Sequence, residues 1–183
     1  MPDAIVLLKD DHKQVELLFK RFEKLGAGAT KTKRKVVDDI IEALSKHAAI
    51  EEQHFYPAIR EQAPQVEGDV LEGLEEHHIV KWTLSELQDL PVEDERFDAK
   101  VTVLMESVRH HVEEEEQDMF PKVRAAMGRK ALAELGATLE KAKAQAPVEP
   151  YPSAPDEPPG NLAPQPAVGF FDRAKQRLSP GKF

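Results

Sequence analysis

The sequence predicts an all-α protein: an up-down-up-down four-helix bundle with an extra C-terminal helix and a Pro-rich tail. Three observations carry this. Apolar residues recur at alternating steps of three and four through four long segments. Gly and Pro punctuate the chain between those segments, leaving connections short enough to favour antiparallel neighbours. A His-x-x-x-Glu unit with a further His upstream occurs twice, so each half contributes a pair of helices.

Asp3 is a good N-cap, and the first helix runs from it to Gly26-Ala27-Gly28. Its stripe is Ile5, Leu8, His12, Val15, Phe19 and Phe22, which puts His12 in a core slot. The second helix starts at Thr30 or Thr32 and continues to about Gln62, with Val37, Ile40, Leu44, His47, Glu51 and His54 on one face. Pro57 either bends it or ends its regular hydrogen bonding. The basic run Lys31, Lys33, Arg34 and Lys35 reads as a solvated surface, with a docking patch for an acidic partner as the alternative. A third helix follows Asp69, carries Val70, Leu74, His77, Val80, Leu84 and Leu87, and stops at Pro91. The fourth opens near Asp94, shows Phe97, Val101, Leu104, Val108, His111, Glu115, Met119 and Val123, and ends at Gly128. A fifth, about Arg129 to Ala144, presents Leu132, Leu135 and Leu139 for packing across the bundle.

The bundle thus fills residues 1–146, and a tail occupies 147–183. Pro147 to Ala167 holds more than half of the chain's 14 prolines, the composition of an extended or disordered linker and not of a fold element. Residues 169–178 form a short basic amphipathic stretch, read as docking on its own domain or a second subunit. Contact with another protein or a membrane surface is the sharper alternative.

Composition narrows the function classes. A formal net charge of −9 argues against a general nucleic-acid binder and against an anionic-membrane protein. The absence of Cys excludes disulfides, thiolate zinc sites, iron–sulfur clusters and a cysteine nucleophile. Asp3, Lys9, Asp10 and Asp11 interrupt any signal-peptide core, and no apolar run approaches the roughly 20 residues of a membrane span. A cytoplasmic location is expected.

The repeated unit carries the chemistry. One copy runs from His47 through Glu51-Glu52-Gln53-His54 to Phe55-Tyr56-Pro57, the other from His111 through Glu115-Glu116-Gln117-Asp118 to Met119-Phe120-Pro121. On a helix, His and the Glu four residues later project from one face, one above the other. His12 and His77 supply an upstream imidazole for each copy. A lone His on an apolar stripe is an ordinary core residue, but four of them, one per helix, together with two carboxylates on the same stripes, require a cation. The predicted ligands are His12, His47, Glu51, His77, His111 and Glu115. Glu52, Glu113, Glu114 and Glu116 point to other faces and read as solvated. His78 and His110 are turned about 100° from the ligand face. His54 and Asp118 lie on that face one turn beyond the Glu, either as ligands or as hydrogen-bond partners behind them lining the access route. Tyr56 points away by helical angle, although a bend at Pro57 would bring its hydroxyl closer.

Six ligands are too many for one structural zinc. They suit two ions: His12 and His47 on one, His77 and His111 on the other, with Glu51 and Glu115 bridging. Imidazole and carboxylate without sulfur fit iron ahead of manganese and zinc. With a bridging oxide or hydroxide each iron keeps an open position for dioxygen, peroxide or nitric oxide.

In this pattern (His12, His47-x-x-x-Glu51, His77, His111-x-x-x-Glu115) the chain, from about Ala4 to Ala126, resembles the hemerythrin-like, or HHE cation-binding, family. The resemblance implies a four-helix bundle around an oxygen-bridged di-iron centre. Oxygen-carrying members have a fifth His one turn before the third-helix His, where this chain has Gly73, and an Asp five residues after the fourth-helix His. Both departures argue against reversible oxygen transport. The resemblance implies instead peroxide breakdown, oxygen or nitric-oxide sensing, or stress regulation. Two functions follow: a di-iron catalase- or peroxidase-like detoxifier, with His54, Asp118 or Tyr56 moving protons, or a sensor of O2, NO, redox state or iron that acts as a regulatory binding protein through its tail.

Overall fold

The computed structural model describes residues 2–162; the amphipathic stretch 169–178 lies outside them. The order is α1 (Ala4–Glu23), α2 (Thr30–Ile50), a π-helical turn (Glu51–Phe55), α3 (Tyr56–Gln62), α4 (Glu67–Asp89), α5 (Phe97–Glu114), a second π-helical turn (Glu115–Met119), α6 (Phe120–Ala126) and α7 (Arg129–Lys143). Asp3 caps α1, its Oδ1 accepting from the Val6 N–H at 2.9 Å. Each π-turn runs on without a break, so α2–α3 and α5–α6 are two long interrupted helices.

Two apolar clusters establish the antiparallel arrangement. One gathers Leu8, Ile50, Leu74 and Met119; the other gathers Val15, Leu44, Val80 and Val108. Following α1 and α4 upward, the chain passes from the first cluster to the second; along α2 and α5 it passes back. Every one of these crossings goes through a histidine: His12, His47, His77 or His111. The bundle is therefore up-down-up-down, with a polar layer sandwiched between two apolar ends. α7 packs across α1 and α2 and buries Leu132 and Leu139 in the first cluster.

The two π-turns share a cause. Pro57 and Pro121 have no N–H, and in an α-helix their rings would strike the carbonyl four residues back. A wider turn removes the clash: Tyr56 N–H bonds to Glu51 O and Phe120 N–H to Glu115 O. The widening lets the chain lag by about one residue, or roughly 100° of helical angle. Everything after the repeated Glu therefore faces a direction that a 3.6-residue period does not predict.

Three expectations are corrected here. The basic run is not simply solvated: Lys33 is buried, 2.5 Å from Asp98, and Arg34 Nη1 donates to the Leu87 carbonyl at 2.8 Å, satisfying a free acceptor at the end of α4. The third and fourth helices begin at Glu67 and Phe97 instead of after Asp69 and near Asp94. The Pro-rich segment, as far as it is described, is not a free linker. Gln53 Nε2 donates to Asn161 O at 2.9 Å, Arg60 pairs with Glu157, and Lys81 Nζ lies 2.5 Å from Asp156. These contacts strap residues 147–162 against the side of the bundle.

Candidate metal centre

All six predicted ligands are buried, and their side chains converge in the polar layer. His12 Nε2 lies 3.2 Å from His47 Nε2, and His77 Nε2 lies 3.2 Å from His111 Nε2. Glu51 Oε2 stands between the halves, 3.0 Å from His47 Nε2 and 3.4 Å from His77 Nε2. Glu115 Oε2 does the same, 3.3 Å from His12 Nε2 and 3.7 Å from His111 Nε2. Donor atoms from His12, His47, Glu51 and Glu115 all fall within 4.8 Å of one another, as do those from Glu51, His77 and His111. The two groups share Glu51, the geometry of two neighbouring ion positions joined by carboxylate.

A cation fits this donor set. Both oxygens of Glu51, and Oε2 of Glu115, are buried without a hydrogen-bond partner. Leaving carboxylate oxygens unpaired in such a place costs several kcal/mol, about the penalty of a buried ion. Electrostatics answers in the same sense. Burial alone would push the imidazoles down, yet Glu51 and Asp11 push His47 up to about 10, and Glu51 with Glu52 pushes His77 up to about 9. Against its own burial, Glu51 is held well below the usual carboxylate range by His47 and His77. Imidazole protons thus provide the positive charge that a metal would supply and displace.

Behind the rings stands a second set of acids. His12 Nδ1 is 2.9 Å from Glu116, His77 Nδ1 is 3.1 Å from Glu52, and His111 Nδ1 is 2.6 Å from Glu76. His47 Nδ1 faces Asp11 at 3.6 Å, beyond hydrogen-bond reach. Each acid directly follows a repeated Glu or directly precedes an upstream His, so the pattern is itself doubled. Such partners fix ring orientation and raise imidazole basicity. The solvated reading of Glu52 and Glu116 is therefore corrected. They do leave the ligand face of their own helices, but they meet histidines on neighbouring ones. The signal available in sequence was the repeated Glu-Glu pair and the acid before each upstream His.

The π-turns redistribute the remaining candidates. Tyr56 swings inward: it is buried, its hydroxyl donates to Glu115 Oε1 at 3.0 Å, and its ring lies 5.5 Å from that of His77. Burial, then the charges of Glu115 and Glu51, hold its hydroxyl proton far more firmly than usual. The repeat partner Phe120 stacks on His12 at 5.9 Å. Gly73 makes room for this arrangement, since a Cβ there would sit 3.0 Å from the Tyr56 hydroxyl. His54 is carried away from the ligands into a cavity beside α7 and the strap. Asp118 is exposed and lines an opening that reaches His111 and Glu115. His78 and His110 point outward, their side chains 41% and 63% exposed.

Comparison with known proteins adds three findings. The sequence model of the Hemerythrin HHE cation binding domain matches residues 3–123. An uncharacterized hemerythrin-like protein of Schizosaccharomyces pombe is 25% identical over 150 residues, covering 81% of this chain and 73% of the relative. The crystal structure of a Hemerythrin HHE cation binding domain-containing protein of Mycobacterium kansasii superposes with a TM-score of 0.67 at 23% identity. That match covers 79% of this chain and 90% of the other, and it shares the fold.

Proposed function

This chain belongs to the hemerythrin HHE cation binding domain family, and we propose that it holds two iron ions and reacts with peroxide or dioxygen species in catalase- or peroxidase-like detoxification. The observation that carries this reading is the pair Glu51 and Glu115: buried, short of hydrogen bonds, and each set between imidazoles from both halves of the bundle. His12 and His47 would hold one ion and His77 and His111 the other, with both carboxylates shared. A nitrogen and oxygen donor set without sulfur suits iron ahead of manganese and zinc. When bound, an iron pair supplies two adjacent redox centres that together exchange two electrons with peroxide.

The chain's own groups do the rest. Glu116, Glu52 and Glu76 hold three of the imidazoles by Nδ1 and present Nε2 to the centre. Leu8, Ile50, Val15 and Leu44 wall the layer with apolar surface on either side. Tyr56 keeps its proton on the hydroxyl, donates it to Glu115 Oε1 at 3.0 Å and so holds that carboxylate in place beside His77.

Oxygen evolution from hydrogen peroxide by the iron-loaded chain tests this. Turnover that disappears in His47→Ala is expected, whereas stoichiometric bleaching without turnover would reject catalysis. A second reading, a sensor of O2, NO or redox state, has one observation in its favour. A polar chain leads from His77 through Glu52 and Lys81 to Asp156 of the strap. Removal of residues 147–183 separates the two: turnover survives if the chain is an enzyme, while a sensor keeps its iron and loses its cellular response.

A further inference from the structure

A cavity of about 250 Å³ runs between α4 and the α5–α6 junction and has His111 and Glu115 in its wall. It opens past Asp118, which is exposed. Its other charged residues are Asp69, Glu72, Glu76, Glu114 and Lys122, and Lys122 is already paired with Asp69 at 2.7 Å. The mouth is therefore strongly negative. Glu115, in its wall, has a side chain only 1% exposed; Tyr56 occupies Oε1, while Oε2 accepts no hydrogen bond. Two of these lining residues, Glu76 and Glu114, form a cluster with His110, the ligand atoms of all three lying within 4.8 Å of one another. His110 Nε2 is 3.3 Å from Glu114. Glu76 Oε2 lies 2.6 Å from His111 Nδ1. One residue thus belongs both to this cluster and to the shell around the inner centre.

We propose that this mouth is the loading route for divalent cations, with Glu76, His110 and Glu114 as an outer site that captures an ion and passes it toward His111 and Glu115. The inference rests on the di-metal reading of the inner centre. A cleft lined by one sign of charge concentrates the opposite ion and speeds its capture, and the gain falls with salt. Imidazole with two carboxylates and open water positions is a weak, exchangeable donor set, as a transfer site needs. The exposed histidine beside a ligand histidine, idle in the inner centre, acquires a use.

The metal-free full-length chain is compared with His110→Ala/Glu114→Gln, using Glu134→Gln on α7 as a control for the same change in charge. Cobalt(II) uptake by stopped-flow absorbance reads loading, and manganese(II) titration by electron paramagnetic resonance reads the outer site. The double variant is expected to load about tenfold more slowly in low salt, within the range of electrostatic steering. The gap closes in high salt, the final content stays at two cobalt ions per chain, and one weak manganese equivalent is lost. The control matches the parent. Two ions taken up at equal rates in low salt, or an outer manganese equivalent retained, overturns the loading route alone. Failure of every protein to take up two ions overturns the di-metal reading beneath it.

Discussion

Glu116 shows how much depends on residues that never touch the metal position. Its carboxylate lies 2.9 Å from His12 Nδ1 and 2.9 Å from Lys9 Nζ, so it turns one imidazole and is itself held by a surface cation. Glu116→Gln keeps the shape but weakens the grip on the ring. On the proposed di-metal reading it should lower metal affinity at His12 by about 10- to 100-fold, the usual effect of losing such a partner, and leave the fold intact. Competition with a chelator of known affinity measures this, and unchanged affinity would show that His12 needs no help. The six inner side chains were legible because they share a helical stripe. Glu52 and Glu116 were not, because periodicity gives the face a residue leaves on its own helix and says nothing of which neighbour stands there.

Elements meet at places where a single atom decides the fit. Gly136 of α7 lies against the start of α1, where a Cβ would come within 2.5 Å of Pro2 O and 2.8 Å of Ala4 N. Backbone cannot yield as a flexible side chain can, so Gly136→Ala should push α7 off the bundle at a cost of about 1–3 kcal/mol. Thermal unfolding checks it; a melting temperature at or above the parent's would mean the junction is loose. A second clamp ties α5 to α1: Arg109 Nε is 2.9 Å from Glu16, and its Nη1 is 2.9 Å from Glu23. The Arg109 hydrogen bond holds Glu16 below its ordinary value of 4.5 against the opposing effect of burial. A lowered folded-state value means stability that is present above the unfolded value and lost as pH falls through the folded one. Arg109→Ala should therefore melt earlier than the parent at neutral pH and converge with it in strongly acidic buffer, whereas a gap constant with pH would assign the loss to packing. Helix identity and order were readable from stripes and punctuation. The π-turns were not: Pro57 and Pro121 announce a disturbance without saying whether the helix bends, ends or widens, and the fate of Tyr56, His54 and Asp118 depends on that choice.

At the scale of the whole molecule, the bundle and the segment after it form one polar circuit. Composition marked residues 147–162 as an extended or disordered linker, whereas they fold into turns and bends that end in a 3-10 turn at Gly160–Leu162. It could not show that such a segment finds partners, because Asp156, Glu157 and Asn161 meet Lys81, Arg60 and Gln53 far away in sequence. Lys81 is the pivot. It is buried, 2.9 Å from Glu52 Oε1 and 2.5 Å from Asp156, and Glu52 in turn holds His77 Nδ1 at 3.1 Å. Ending the chain after Ala146 would remove one of the two carboxylates around a buried ammonium and open the Glu52–His77 bond to water. Hydrogen bonds to charged groups and exposed ion pairs together suggest a loss of about 1–3 kcal/mol. For a domain of this size that is a fall in melting temperature of roughly 2–12 °C. Glu157→Gln, which touches Arg60 and not the circuit, should have a smaller effect than Asp156→Asn. Limited proteolysis supplies an independent view, since a docked strap resists cutting between 147 and 162 until the bundle itself opens. Rapid cleavage there in the intact chain, with no change in melting temperature on truncation, would mean that His77 is held by Glu52 alone and the strap is idle.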